Sequence, residues 1–374
     1  MVGILLKSAK FLARPDIFFL TLVWMMLVLV LGTLEQKYAG LYAAQQKYFS
    51  AFIFWEGPVP LPAGYTIIGI VSLQLLCKLL VGSPWRRQDA GIIIVHIGAL
   101  LLLLGAALTA FFSYEGNMVL HEEQSADYIA DYYELELAVE DPDISPPTLL
   151  ALFAHDQLKR QKPLKNATLP FTITPQVFCE NCAIQERDET AEETTPRRGM
   201  AARKMDIRPI PLNPQDKDNR PGILFNVSGA SEEQDGNYMS FAFIPRHPKI
   251  TVDGKTYAIM LRHKRTPLPF SITLKDFHKE YHPATNTPRA YRSDVLVKDG
   301  ELQWETRIEM NEPLRYKGYT FYQSAFVVDE SGEASILAVV HNVGRIFPYV
   351  SSIVMCIGLL LHLFMQLPRL IRKS

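Results

Sequence analysis

The chain has 374 residues, 48% of them apolar and 21% charged, with a formal net charge of −1. A balance this close to neutral lays no basic field over the molecule, so no nucleic acid is expected as a partner. The apolar residues are bunched: four nearly uncharged runs, 17–34, 65–81, 91–112 and 347–367, hold 17 to 22 residues each. Each can cross a hydrocarbon layer roughly 30 Å thick as a helix, which excludes a purely soluble protein.

In chain order, residues 1–112 form an N-terminal membrane region with three transmembrane helices. Residues 113–345 form one polar domain, and 346–374 hold the closing transmembrane helix and a basic tail. Short loops rich in Lys and Arg stay in the cytoplasm. Lys7, Lys10 and Arg14 precede the first span, Lys78 sits at the inner end of the second with Arg86 and Arg87 in the short loop before the third, and Arg369, Arg372 and Lys373 follow the fourth. Both termini are therefore predicted inside and the polar domain outside. Lys78 at the end of the second span is expected to snorkel to the inner interface. The basic start and the small residues Gly32 and Thr33 would also suit a cleaved signal peptide. The length of the apolar run favours an uncleaved anchor.

The polar domain reads as mainly antiparallel β. Asp253-Gly254 and Asp299-Gly300 separate alternating runs and predict two hairpins, and Lys317-Gly318 predicts a third turn before the aromatic strand Tyr319, Phe321, Tyr322. That strand is expected to pack the domain core. The segment 185–221 is charged, rich in Pro and almost without apolar period, and reads as a mobile insertion. Its acidic run Glu186, Asp188, Glu189, Glu192, Glu193 reads as a solvated loop. An internal echo spans it: Leu169–Phe178 and Leu268–Phe277 agree at six of ten positions. The echo fits two related halves and equally fits two edge strands that each begin with Pro.

Two histidines fall within the predicted spans, where an ionisable side chain is costly and points to function. His96 lies five residues after Gly91, about 8 Å into the third span. His362 lies five residues before Leu367 in the antiparallel fourth span, so the two are expected at one depth. A neutral imidazole can ligate iron through a ring nitrogen, or simply hydrogen-bond to a neighbouring helix. Outside the membrane, Cys179-Glu-Asn-Cys182 is followed by Ala183, so it is no haem-attachment motif. A disulfide, two free thiols, or a zinc site completed by His278 and His282 all fit the spacing. Cys77 and Cys356 lie in spans, as small apolar fillers. No triad order, phosphate loop or paired-carboxylate motif is present.

Several stretches resemble a known family. The most specific is Asn311-Glu-Pro-Leu-Arg-Tyr-Lys-Gly-Tyr-Thr-Phe-Tyr-Gln-Ser324. Leu268–Phe277 followed by Tyr281-His-Pro-Ala-Thr285, Tyr291-Arg-Ser-Asp-Val295, and Val95–Leu103 leading to Tyr114-Glu-Gly116 fit the same pattern. Together with the order of three spans, outer domain and one span, the chain resembles the ResB (CcsB) proteins of the System II cytochrome c maturation pathway. The resemblance implies a bacterial inner-membrane protein with its domain on the periplasmic side, handling haem b. It implies a CcsA-type partner and attachment of haem to apocytochrome c. It places a haem-ligating histidine in the third span, which is His96 here; His362 is a weaker candidate, the second ligand being expected from the partner. The four tryptophans, Trp24, Trp55, Trp85 and Trp304, are scattered, so the thioether-forming site is expected mainly in the partner and this chain as an accessory subunit. A reading of another class is a membrane-anchored protein-binding or sensor module without haem.

Overall fold

The computed structural model describes residues 2–187, 195–244, 246–283, 285, 288–329 and 332–371. The chain divides into two compact units, Met1–Tyr114 with His341–Ser374, and Glu115–Val340.

The first unit is helical. Segments Pro15–Phe49, Gly64–Gly82, Arg87–Phe112 and Phe347–Leu367 are long and apolar enough to cross a membrane, which makes this a multi-pass membrane protein. A short helix, Val2–Leu12, precedes them and exposes Ile4, Leu5 and Phe11 beside Lys7 and Lys10. Such a mixture suits a membrane surface. The first long helix, Pro15–Ala44, outruns its predicted 17–34 because Glu35–Ala44 is polar yet rich in good helix formers. It bends at Gly40, whose φ of 85° a side chain would disfavour. A hairpin of Ile53–Glu56 and Val59–Pro62 then returns the chain to the next helix, Gly64–Cys77. Val28, Tyr48, Phe54, Ala63 and Ile67 bury one another, and the Trp24 indole N–H donates to Pro62 O at 3.1 Å.

The last two spans, Ala90–Phe112 and Phe347–Ile371, touch backbone to backbone. Gly91, Gly98 and Gly105 recur every seven residues, and facing them Gly344, Ser351 and Gly358 do the same. A Cβ on Gly91 would stand 2.5 Å from His362 N, one on Gly98 would stand 3.1 Å from Ser351 O, and one on Gly358 would stand 2.8 Å from Gly91 O. Small residues allow this approach, and in lipid the resulting close packing is what joins helices. At the C-terminal end of the third span Asn342 Oδ1 accepts from Thr109 Oγ1 at 2.9 Å, Ser113 Oγ at 3.1 Å and its own loop's Gly344 N–H at 2.8 Å. One carbonyl thus fastens both helix ends.

The second unit is mostly antiparallel sheet. Its largest sheet has ten strands, in spatial order Leu302–Glu309, Pro288–Asp299, Lys255–Tyr281, Ser125–Asp141, Tyr114–His121, Gly332–His341, Tyr319–Asp329 and Leu314–Tyr316. Lys249–Val252 pairs with the long strand Lys255–Tyr281, and Thr148–Ala154 with Ser125–Asp141. A three-stranded sheet, Gly236–Phe241, Gly222–Ser228 and Thr172–Cys179, packs against one end of it. Period-two alternation makes the shared core: Leu135, Leu137 and Val139 with Tyr257, Ile259 and Leu261 from the large sheet meet Ile223, Phe225 and Val227 from the small one. All three turn signals form hairpins, with Asp253 and Gly254, and Lys317 and Gly318, in positive φ. In the aromatic strand Phe321 is buried and Tyr319 nearly so, while Tyr322 is exposed; the Phe270 ring meets those of Tyr316, Tyr319 and Phe321 edge-on.

Two expectations meet a different arrangement. The echoing segments occupy different sheets, Thr172–Cys179 in the small one and Leu268–Phe277 within the long strand of the large one, so the likeness does not extend to strand order. The stretch 185–221 carries structure in its described part: Cys182–Glu186 pairs with Met205–Pro209, preceded by the helix Met200–Lys204. From it Ala202 and Ile207 are buried against Cys179, Cys182, Leu224, Met239 and Phe241, while Met200 and Ile210 are exposed. Residues 188–194 lie outside the described residues, and with them Asp188, Glu189, Glu192 and Glu193.

Candidate functional site

His96 stands in the first third of the helix Ala90–Phe112, partly buried, with Nδ1 2.7 Å from Ile92 O. A carbonyl oxygen only accepts, so Nδ1 carries the proton and donates it. That fixes the tautomer of the neutral ring and leaves the lone pair on Nε2, the arrangement metal-binding histidines adopt when their second nitrogen is anchored to a carbonyl. His96 lines a crevice of about 160 Å³ whose other walls are Leu12, Ala13, Arg14, Pro15, Phe18, Gln74, Leu75 and Lys78. The wall is apolar apart from those few groups. Pockets that enclose a whole drug-sized ligand run from about 300 to 1,000 Å³, so this one is too small to enclose such a ligand whole.

His362 is placed differently from the expectation. Its backbone packs on Gly91, five residues before His96, which separates the two histidines by about 7.5 Å along the helix axis. Counting from the ends of the apolar runs missed this because the fourth helix continues to Ile371, past the predicted end at Leu367. His362 does not line the His96 crevice, and its Nδ1 is buried without a hydrogen bond. His362 thus lies outside the crevice that His96 lines.

In the second unit Cys179 and Cys182 form a disulfide, which consumes both thiolates that a zinc site with His278 and His282 would need. His278 instead lies between Asp276 and Asp294, with Nε2 2.7 Å and 3.7 Å from their carboxylates, while His282 is exposed at the end of its strand. The Arg307 guanidinium, 2.7 Å from Asp294, holds that carboxyl below its ordinary range. Cys77 is buried and Cys356 exposed, both as free thiols.

Glu180, inside the disulfide loop, accepts from His155 Nε2 at 2.8 Å and pairs with Lys159 at 2.7 Å. The His155 bond, helped by Lys159 and opposed by burial, lowers its pKa from 4.5 to about 2. A carboxyl depressed in the folded state stabilises the fold fully above its unfolded pKa, and that contribution is lost as pH falls from about 5 toward 2. With a third of the side chain exposed, about 1–2 kcal/mol is expected after allowing for solvent screening. Thermal unfolding of the full chain between pH 6 and 3 should show wild type losing more stability than Glu180→Gln; equal losses would contradict this.

Residues 246–336 match the ResB-like family. Over 300 residues the chain is 23% identical to protein NrfI of Wolinella succinogenes, covering 79% of this chain and 30% of NrfI. It is 30% identical to cytochrome c biogenesis protein CcsB of Picosynechococcus sp. over 109 residues, covering 29% of this chain and 23% of that protein. It is likewise 30% identical to CcsB of Synechococcus elongatus over 134 residues, covering 35% of this chain and 27% of the relative. The chain thus spans less than a third of the length of these curated relatives. The family match covers strands of the second unit, including the whole stretch Asn311–Ser324, and does not include the helix that carries His96. On the agreement of that match with the three relatives, residues 246–336 form a ResB-like region, and the chain is similar to cytochrome c biogenesis proteins.

Proposed function

We propose that this chain takes part in cytochrome c maturation as a membrane subunit that receives haem b at His96 and helps carry it to the outer face. There a CcsA-type partner joins it to apocytochrome c. The observation that supports this most directly is the His96 ring itself: a protonated Nδ1 anchored on Ile92 O, a lone pair on Nε2, and a place in an apolar crevice. When bound, the haem supplies an iron that accepts this nitrogen. The chain's own part is to hold the ring in one tautomer and one rotamer, and to keep bulk water from the crevice. The basic residues Lys7, Lys10, Arg14, Lys78, Arg86 and Arg87 favour a cytoplasmic position for the crevice end, and a periplasmic side of the inner membrane for the second unit. With its tryptophans scattered, the chain acts as scaffold and axial ligand, and thioether formation falls to the partner.

Haem co-purifying with the complex should fall roughly tenfold or more in His96→Ala, and added imidazole should restore part of its absorption spectrum. His362→Ala should retain haem. Wild-type haem content in His96→Ala, unchanged by imidazole, would overturn the assignment. A haem-free chain that still binds a protein partner would favour a binding or sensor module.

A further inference from the structure

Gln74 is 2% exposed and only half satisfied: Nε2 donates to Thr21 Oγ1 at 2.9 Å, while Oε1 is buried without a partner. It shares the wall of the His96 crevice with Lys78, four residues on, and positions i and i+4 of a helix present one face. The regular helix ends at Cys77, and Lys78 opens a π-helical turn to Gly82, a local widening that recurs at functional sites. Lys78 has no ion pair among the described residues, its ammonium reaching Gly82 O at 3.5 Å. Arg14, the other cation in the wall, is occupied by Asp16, with Nε at 3.0 Å and Nη2 at 2.5 Å from the carboxylate oxygens.

An amide oxygen buried without a donor is costly, and the partly exposed Lys78 ammonium beside it has no anion among the described residues. Together they suit an anionic oxygen that carries a bound water, and a carboxylate supplies this: its oxygen meets the ammonium and its water donates to the amide oxygen. We propose that Lys78 and Gln74 hold a carboxyl side arm of the tetrapyrrole whose iron His96 ligates. Lys78 pairs with the ionised group, and a water bound to that group donates to Gln74 Oε1. This rests on the His96 reading given above. It adds an orientation to that reading: the ring enters the crevice by its carboxyl-bearing edge, which suits a volume of about 160 Å³.

The phosphate of an anionic lipid would also meet the ammonium, so the test separates the two sources. The full chain with its CcsA-type partner is placed in nanodiscs of phosphatidylcholine, with or without phosphatidylglycerol. It is then titrated with iron protoporphyrin and with its dimethyl ester, which keeps the iron and loses the free carboxyls. Wild type should bind the free acid about tenfold more tightly than the ester in both lipids, and Lys78→Met and Gln74→Leu should each shrink that preference. No preference in wild type, or a full preference in Lys78→Met, would overturn the proposal. So would equal binding of acid and ester that weakens in wild type alone when phosphatidylglycerol is present, because the occupant would then be lipid. Failure of the His96 reading has its own signature: His96→Ala binding both compounds as wild type does. If His96→Ala loses both while Lys78→Met keeps the preference, only the carboxyl site falls.

Discussion

Replacing Arg262 by Met should destabilise the second unit by about 3–5 kcal/mol, the cost of leaving a charge buried and unpaired. Arg262 lies directly opposite Glu136 across the two central strands of the large sheet. Its Nε donates to Glu136 Oε1 at 2.8 Å, and its Nη1 pairs with Glu140. Glu136 is 2% exposed and its Oε2 already lacks a partner, so no water reaches the carboxylate to replace the guanidinium. Lys at this position keeps a charge but not the fork that serves two acids, and should fall between wild type and Met. Adding Glu136→Met to Arg262→Met should recover at least half of the loss, since the orphaned carboxylate and not the missing attraction carries most of it. Thermal unfolding of the full chain in detergent, followed by intrinsic fluorescence, measures all four proteins. A loss under about 1 kcal/mol in the single variant would show that the site is wetter than its geometry indicates.

Gly91→Leu should force the third and fourth spans apart, at a cost of about 2 kcal/mol or more. The added Cβ would meet His362 N at 2.5 Å, Gly358 O at 2.7 Å and His362 Cα at 2.7 Å, all backbone atoms that no rotamer change can move. Gly69→Leu is the control, because nothing lies within 4 Å of its Cβ position on the second span. Melting in detergent should therefore drop for Gly91→Leu by several degrees and hold for Gly69→Leu. A parallel drop in both would mean that hydrophobic bulk, and not the close approach, is what the fold resists.

The parts of this fold that were readable in advance are those governed by a few adjacent residues. Asp253-Gly254, Asp299-Gly300 and Lys317-Gly318 fixed their hairpins because a positive-φ turn is a local demand, and the spans announced themselves through length and lack of charge. His96 was recognisable as an unusual residue for its place. Its face was not, because the phase of a helix against its neighbours depends on both partners. The pairing of Gly91, Gly98 and Gly105 with Gly344, Ser351 and Gly358 escaped for the same reason: each row of small residues is unremarkable until set beside the other. The unsatisfied oxygen of Gln74 was equally invisible, being defined by what Thr21 takes and what it leaves. Between Cys182 and Pro221, composition did not register the small core that a disulfide, Ala202 and Ile207 supply.

The third span meets its closest neighbour only at the far end of the polypeptide. Ribosomes extend a chain by about 5–20 residues each second, so the stretch from Ser113 to Ile346 occupies about 10–50 s between the emergence of the two helices. Throughout that interval the glycine row waits in lipid with its backbone uncovered, a surface any other small-residue helix could occupy. Assembly of the bundle is thereby timed by synthesis of the β unit, and a nascent chain stalled before Phe347 should be the form that mispairs or is degraded.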